Sequence, residues 1–148
     1  MKWLLDTNVV SETAKPAPDR KVVAWMAVRA PDHLALSLIT VAELQAGVFQ
    51  IENSQKRTNY VRWLEAEVVN SFQNRILPVT LEILIDWLAL ARRVQKRGTS
   101  RSAPDLLIAS TARVHNLILV SRNVKDFAGT GVVLYDPWTG KTHVMDAM

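Results

Sequence analysis

The residues best suited to chemistry are acidic or small and polar, and the first of them follow directly on an apolar segment. Asp6, Thr7 and Asn8 come after the apolar run that ends at Leu5. A short apolar run is typical of a strand buried on both faces, as in a parallel sheet. The carboxyl end of such a strand lies at the edge where open α/β sheets bind ligands. Because a buried charge destabilises the fold unless it has a partner, we expect Asp6 to bind a divalent metal ion.

Further acidic positions occur at other strand ends. Glu43 lies in the helix that follows the second strand, and Asp126 follows the strand that ends at Ser121. Asp105 begins the helix before that same strand, and a helix that returns across the sheet starts at the edge where the strands end. Four acidic positions can therefore meet at one edge of the sheet: Asp6, Glu43, Asp105 and Asp126.

Carboxylates that crowd together repel one another and raise each other's pKa, so such a cluster requires cations. Ligands that are all oxygen suit Mg²⁺ or Mn²⁺ better than zinc. These ions, alone or as a pair roughly 3.5–4 Å apart, can activate water and stabilise charge at a phosphoryl centre. The chemistry that the acids suggest is hydrolysis of a phosphodiester.

Strands and helices alternate along the chain, which predicts an α/β fold with a mostly parallel sheet of four or five strands. The predicted strands cover residues 2–5, 34–39, 75–79, 117–121 and 132–135. The predicted helices cover residues 20–30, 40–51, 55–72, 80–96 and 104–116. We expect a single domain over residues 1–148, with residues 137–148 as a polar tail.

Composition bounds the function further. The chain has 148 residues, 49% hydrophobic and 22% charged, and contains no cysteine, which excludes disulfides, thiolate metal sites and a cysteine nucleophile. A net charge of +4 and a pI near 9.7 are compatible with a nucleic-acid partner. We see neither a basic-then-apolar signal segment nor an apolar run long enough to cross a bilayer, so we expect a cytoplasmic protein without a membrane partner.

Four motifs, taken together and in order, resemble those of PIN-domain nucleases. They are Leu4-Leu5-Asp6-Thr7-Asn8, Thr40-Val41-Ala42-Glu43-Leu44, Pro104-Asp105-Leu106-Leu107-Ile108-Ala109 and Ser121-Arg122-Asn123-Val124-Lys125-Asp126-Phe127. Their order and spacing are similar to those of VapC-type toxins of bacterial type II toxin–antitoxin pairs, especially the FitB-like branch. The resemblance implies a PIN-like three-layer α/β/α fold and an endoribonuclease that depends on Mg²⁺ or Mn²⁺.

The resemblance also implies roles for the acids. Asp6 and Asp105 would be the principal metal ligands, and Glu43 would either bind the ion or position the attacking water. Many relatives carry an Asp where this chain has Asn123, and an amide brings no charge. Asp126, three residues further on, is the alternative for that fourth position.

Other polar residues would support the acids or contact the substrate. Three small residues would orient Asp6 and its surroundings: Thr7, Asn8 and Ser121. Three arginines are candidate RNA contacts: Arg97, Arg101 and Arg122. Cations near a helix's carboxyl end are also favoured by the helix dipole and are usually solvated, so a purely structural role for the basic segment stays open.

The implied partners are RNA and a cognate antitoxin. The antitoxin would carry a DNA-binding amino-terminal domain, and its tail would lie in a groove of the toxin. The resemblance further implies a homodimer, possibly within a larger toxin–antitoxin assembly. The helices around Trp25, Tyr60 and Trp63 are the predicted dimer surface.

Each acid could also serve a purely structural role. Asp6 followed by Thr and Asn is good turn chemistry. Thr40 and Glu43 have the spacing of a capping box, in which the glutamate closes the start of a helix. Asp105 lies in the first turn of a helix, where the helix dipole favours an acid.

Two other functions compete with the nuclease. Asn123 in place of an acid allows a dormant PIN subunit of a DNA-bound repressor complex. A phosphatase that uses Asp6 as nucleophile would need a second acid where Asn8 stands. Dinucleotide and P-loop enzymes are disfavoured because their glycine signatures are missing from the sequence.

Overall fold

A six-stranded sheet forms the centre of the computed structural model, which describes residues 1–96, 98 and 101–146. The strands are β1 (Trp3–Leu5), β2 (Leu34–Ser37), β3 (Ile76–Leu77), β4 (Ile118–Val120), β5 (Val133–Asp136) and β6 (Lys141–Val144). They lie in the order β3-β2-β1-β4-β5-β6. The strands β1 to β5 pair in parallel, and β6 runs antiparallel to β5.

Six α-helices connect these strands. They are α1 (Thr7–Glu12), α2 (Arg20–Ala27), α3 (Leu38–Gly47), α4 (Ser54–Trp63), α5 (Leu81–Lys96) and α6 (Ala103–Val114). A π-helix (Leu64–Asn70) continues α4, and 3₁₀ turns cover Pro31–His33, Val48–Gln50 and Val124–Phe127. Within the described ranges, no helix is both long enough and apolar enough to cross a membrane.

Local sequence signals explain where several helices start. The Asp19 side chain accepts hydrogen bonds from the N–H groups of Lys21 and Val22, which caps α2. The Ser102 hydroxyl accepts the N–H of Asp105 at the start of α6, where Pro104 occupies the first turn. Asp105 is therefore placed at the edge where α6 begins.

Hydrophobic side chains cover both faces of the sheet. On one face, Leu4 and Leu119 pack with residues of α5 and α6 such as Leu90 and Ile108. On the other face, Leu5 and Val120 belong to a cluster with the following residues of α1, α2, α3 and the π-helix: Val9, Val22, Leu44 and Leu64. Neighbouring strand residues thus point to opposite faces. This arrangement confirms the predicted three-layer α/β/α fold.

Most strands and helices lie where the sequence predicts them, but the strand count of four or five and the polar tail are wrong. The sixth strand is β6, inside the segment predicted as a tail. A tight turn joins it to β5, in which the Gly140 N–H donates to the Asp136 carbonyl at 2.8 Å. Gly140 has φ +76°, a left-handed conformation that a glycine adopts without strain. Residues 147 and 148 lie outside the described residues.

The predicted capping box of Thr40 and Glu43 is also wrong. Helix α3 begins at Leu38, two residues earlier than predicted, and Ser37 is its N-cap. The Ser37 hydroxyl accepts the N–H of Ile39 at 3.1 Å. Thr40 lies inside the helix, so Glu43 is not needed to close the helix start.

The tryptophan on α2 belongs to the core. The Trp25 ring is 7% exposed and packs against Trp3 and Tyr135, with ring centroids 5.1 and 5.5 Å away. The Arg29 guanidinium covers its face at 4.0 Å from the centroid. The predicted dimer surface therefore cannot include Trp25.

The 3₁₀ turn after β4 is anchored by one aromatic ring, which gives a test of the core. Phe127 is 0% exposed, whereas Phe49 is 84% exposed. We expect Phe127→Ala to lower the free energy of unfolding by about 3–5 kcal/mol, because the lost ring leaves a cavity. Phe49→Ala should change it by no more than about 0.5 kcal/mol. Urea denaturation of both variants measures this, and equal effects would contradict the burial of Phe127.

Candidate active site

Asp6 lies at the carboxyl end of the central strand β1 and is 4% exposed. Its backbone is extended and its Oδ1 accepts the N–H of Thr7 at 2.8 Å, so it is the N-cap of α1. Its Oδ2 accepts hydrogen bonds from the Ser121 hydroxyl at 2.7 Å and from the Asn8 side-chain amide at 3.1 Å. Asp6 therefore has a structural role as the cap of α1. The same hydrogen bonds fix its carboxylate in one orientation, which is compatible with a chemical role.

Ser121 joins the ends of β1 and β4. Its hydroxyl donates to Asp6 and accepts the backbone N–H of Asn123 at 3.0 Å. The Asn8 side chain lies 3.1 Å from the same hydroxyl, and its Oδ1 accepts the N–H of Arg122 at 3.2 Å. The structure thus places Asn8 and Ser121 around the Asp6 carboxylate, as their predicted orienting role requires.

Thr7 connects Asp6 to Glu43. The Thr7 hydroxyl lies 2.7 Å from Oε1 of Glu43 and 3.3 Å from the hydroxyl of Thr40. A hydroxyl has one proton, and the shorter contact to a carboxylate indicates that Thr7 donates to Glu43. Thr40 is buried in α3 one turn before Glu43. Glu43 is held towards the site by this contact between helices α1 and α3.

The electrostatics of Asp6 are unfavourable for a charge. Burial raises the pKa of Asp6 from 3.8 to about 6, against the hydrogen bonds from Ser121 and Thr7. The negative charges of Asp105 and Glu43 add to the increase. The structure therefore brings the fields of two other predicted acids, Asp105 and Glu43, to the Asp6 carboxylate.

Asp105 is half-buried at the start of α6. Burial raises its pKa, the hydrogen bond with Ser102 opposes that rise, and the negative charge of Asp126 adds to it. The positive charge of Arg101 acts in the opposite direction. Asp126 and the predicted RNA contact Arg101 therefore both act electrostatically on Asp105.

The loop after β4 lies at the carboxyl ends of the parallel strands. Residues from Arg122 to Asp126 surround a cavity of about 380 Å³. Asn123 supports Ser121 through its backbone N–H, and this contact would be the same with an aspartate. Arg97, the third predicted RNA contact, lies outside the described residues.

The donor set suits a hard divalent cation. Among residues 1–96, 98 and 101–146, no three Asp, Glu or His side chains are grouped so closely that they could hold one ion by themselves. Mg²⁺ usually keeps several waters and uses one or two carboxylates, so it does not need such a group. Asp6 is a buried carboxylate whose hydrogen-bond partners are all neutral, and the negative charges of Asp105 and Glu43 act on it. The predicted three-acid ligand set of Asp6, Asp105 and Glu43 is therefore not assembled around one point, and at most two of these carboxylates could hold one ion directly.

Comparison with known proteins decides the family, since the PIN domain model matches residues 3–132. The chain belongs to the PIN-domain family. It is 35% identical over 135 residues to Toxin FitB of Neisseria gonorrhoeae, with 91% of this chain and 97% of that toxin covered. It is equally 35% identical over 135 residues to the VapC ribonuclease Y4jK of Sinorhizobium fredii, with 91% and 96% covered.

Solved structures agree with this PIN assignment. FitAcB from Neisseria gonorrhoeae gives a TM-score of 0.86 at 34% identity and covers 92% of this chain and 98% of the matched chain. FitAB bound to an IR36 DNA fragment gives a TM-score of 0.85 at 31% identity and covers 99% of both chains. The predicted resemblance to FitB-like and VapC-type PIN domains is confirmed.

Sequence reasoning missed two residues near the acids of this PIN domain. The capping-box prediction gives Thr40 only a role at the helix start, although its hydroxyl contacts Thr7. Glu12 is 5% exposed, and its pKa is lowered chiefly by Lys15, which lies 2.8 Å from its Oε1, and by the N–H of Asp19. Glu12 ties the end of α1 to the start of α2, a structural role. Its burial was not visible from the sequence because the pairing with Asp19 depends on the intervening loop.

The raised pKa of Asp6 gives a test of its environment. For an acid whose folded pKa exceeds its unfolded pKa, protonation favours the folded state, so stability falls as pH rises from about 4 to 6. We expect ionisation of Asp6 to cost about 1 kcal/mol at about pH 4.5 and about 3 kcal/mol at about pH 7.5. The stability of Asp6→Asn relative to the unchanged protein should therefore improve by about 2 kcal/mol over this range.

Chemical denaturation of both proteins in EDTA measures this difference, and the comparison cancels groups common to the two. The amide also changes the contacts with Asn8 and Ser121, but that effect does not depend on pH. A difference that stays constant between the two pH values would show that Asp6 titrates normally.

Proposed function

We propose that this PIN domain is an endoribonuclease that depends on Mg²⁺ or Mn²⁺ and hydrolyses RNA phosphodiester bonds. It acts in the cytoplasm as the toxin of a type II toxin–antitoxin module. The observation that carries the proposal is the buried Asp6 carboxylate, oriented by three neutral donors and exposed to the fields of Asp105 and Glu43. The relatives named Toxin FitB and VapC ribonuclease support the same activity.

In this proposal the residues of the chain divide the work. Asp6 and Asp105 bind the ion, and Asp6 is held for this by Ser121 and Asn8. Thr7 fixes Glu43, so that a carboxylate of set orientation is available to the ion or to the attacking water. When bound, the ion supplies Lewis-acid activation of a water molecule and neutralises charge on the phosphate. RNA phosphates contact Arg122 and Arg101 at the rim.

An apolar groove is the proposed seat of the antitoxin tail. It has a volume of about 410 Å³ and lies between the segment after α1 and helix α4. Its lining includes Pro16, Ile51, Tyr60 and Trp63. The Tyr60 hydroxyl donates to the Leu44 carbonyl, next to Glu43, so a tail in this groove has a short path to the acids. The related FitAcB structure and FitAB bound to DNA support a partner that carries a DNA-binding domain.

Helix α5 carries the proposed homodimer surface. Four of its apolar side chains are exposed at helical spacing: Leu81 (73%), Leu84 (37%), Ile85 (61%) and Leu88 (56%). Contiguous apolar surface of this kind marks interaction sites. This surface is proposed beside the predicted one, from which the buried Trp25 drops out while the helix with Tyr60 and Trp63 stays a candidate.

A dormant PIN subunit of a DNA-bound repressor complex is the second candidate. It is favoured by Asn123, which brings no charge to the fourth acidic position. The similarity to FitAB bound to a DNA fragment is compatible with it. Both candidates use the same antitoxin groove, so they differ only in turnover.

Substitution of the acids tests the nuclease. Purified protein free of antitoxin should cleave RNA with Mg²⁺ or Mn²⁺, and Asp6→Asn or Asp105→Asn should lower the rate by at least about 100-fold because a metal ligand is lost. Ser121→Ala should lower the rate by about 10–100-fold, since it removes an orienting hydrogen bond. The readout is the rate of cleavage of a labelled RNA.

Asp32→Asn is the matched control, because Asp32 is exposed in the turn before β2, at the opposite edge of the sheet. It should keep the rate unchanged. Activity that survives both Asp6→Asn and Asp105→Asn would refute the mechanism. Absence of cleavage with both ions, combined with antitoxin-dependent operator binding, would support the dormant subunit.

A charge on α5 tests the dimer. We expect Ile85→Glu to shift the sedimenting mass from dimer to monomer, because association would bury an unpaired carboxylate. Val28→Glu is the control, since Val28 is 79% exposed after α2. A dimer that survives Ile85→Glu but dissociates with Val28→Glu would place the interface on the α2 side.

A further inference from the structure

Arg122 is an exposed arginine that is nevertheless held at two points. Its backbone N–H donates to Oδ1 of Asn8 at 3.2 Å, next to the Asp6 carboxylate. Its guanidinium lies over the indole of Trp138, with 5.0 Å between the guanidinium carbon and the ring centroid. The side chain is therefore placed at the acidic edge by a contact from a different part of the chain.

The turn between β5 and β6 fixes Trp138. The Asp136 side chain is 6% exposed and accepts the N–H of Trp138 at 2.8 Å. The Asp136 carbonyl accepts the N–H of Gly140, and Asp136 pairs with Lys141 across the two strands. Because β5 is parallel to β4, this turn lies at the same edge of the sheet as the loop that carries Arg122.

A second observation concerns the electrostatic effect of the Arg122 guanidinium on Glu12. Glu12 lies at the end of α1, and its pKa is lowered chiefly by Lys15 and the Asp19 N–H, with a further contribution from the positive charge of Arg122. The positive charge of Arg122 therefore reaches the carboxylate at the end of α1. Glu12 is paired chiefly with Lys15 and the N–H of Asp19, so its attraction to Arg122 is the smallest of these contributions.

The type of contact that holds the Arg122 guanidinium decides whether its N–H donors remain available to a ligand. A carboxylate partner would occupy the N–H donors of a guanidinium and cancel its charge. An aromatic face holds the cation through the ring quadrupole and leaves the in-plane N–H donors free for an anion. This kind of contact suits a residue that has to meet a phosphate while acids stand nearby.

We propose that Trp138 is a positioning residue that holds the Arg122 guanidinium at the rim of the acidic edge, where it contacts a phosphate of the RNA substrate. The inference rests on the proposed function for its substrate. It also gives the segment after β5 a role in that function, because the turn between β5 and β6 carries Trp138 and so positions Arg122 for the substrate.

Chemical modification tests the positioning without RNA. Arg122 should react with phenylglyoxal about two- to fivefold faster in Trp138→Leu than in the unchanged protein, because the leucine lacks a π face. Trp138→Phe should restore most of the protection. Mass spectrometry quantifies the modified arginines, with the exposed Arg20 as internal reference. If Trp138→Leu has a strongly lowered melting temperature, Trp138→Met is used instead, because methionine fills the space without a π face.

RNA binding tests the substrate contact. Binding of a labelled single-stranded RNA is measured by fluorescence anisotropy in EDTA, so that cleavage does not interfere. Trp138→Leu should weaken binding about two- to fivefold, and Arg122→Gln by about tenfold. Trp138→Leu should add no further loss in the Arg122→Gln background. Arg122→Gln should also reduce the slope of log affinity against log salt by about one.

Arg29→Ala is the matched control, because it removes a cation–π pair with Trp25 and Trp3 near the opposite edge. It should leave RNA binding unchanged. An unchanged Arg122 modification rate, or an equal loss from Trp138→Leu with and without Arg122, would overturn the positioning role. Faster modification with RNA binding unaffected by Arg122→Gln would overturn the substrate contact and leave the acid-site nuclease to be judged on its own cleavage test.

Discussion

The arrangement of polar residues at the carboxyl ends of the parallel strands depends on one constraint, the burial of an ionisable carboxylate at the end of β1. Asp6 is 4% exposed, and the hydrogen bonds it accepts come from a hydroxyl, an amide and a backbone N–H. These neutral donors replace part of the lost hydration, but burial still raises its pKa to about 6. A lysine or arginine partner would have lowered the pKa and occupied the oxygens. Neutral donors fix the orientation and leave the charge to attract a cation from outside.

The sheet order explains how so few residues can build this environment. β1 lies between β2 and β4, so each neighbouring strand delivers one polar group to the end of β1. Ser121 follows β4 and bonds to Asp6, while α3 follows β2 and carries Glu43 to Thr7. Parallel pairing is what brings these groups to one edge, since antiparallel strands would end at opposite edges. The core on both faces of the sheet keeps the strands in register and so keeps the polar groups aligned.

The position of Asp6 at a strand end could be predicted from sequence because it directly follows a short apolar run, although its role as the N-cap of α1 would by itself favour an acid there. The helix start near Thr40 could not be predicted. Ser37 and Thr40 both suit an N-cap, and the choice depends on where β2 stops pairing with β3, at Ser37 and Leu77. Lys141–Val144 is likewise too short and too exposed for its sequence to predict a strand, and it becomes one because the edge of β5 is available to pair. Both outcomes depend on contacts between distant segments, which local patterns do not encode.

Asp6 and Asp105 are placed in different surroundings, and this asymmetry bears on Asn123. Asp6 is enclosed by neutral donors, whereas half-buried Asp105 feels the opposite charges of Asp126 and Arg101. A fourth carboxylate at position 123 would sit next to Ser121, whose hydroxyl already accepts the Asn123 N–H and donates to Asp6. Position 123 carries a neutral amide, and the negative charge of Asp126 acts on Asp105. The charge of Asp126 thus acts on the more exposed carboxylate of the pair Asp6 and Asp105, where water screens it and where the positive charge of Arg101 opposes it.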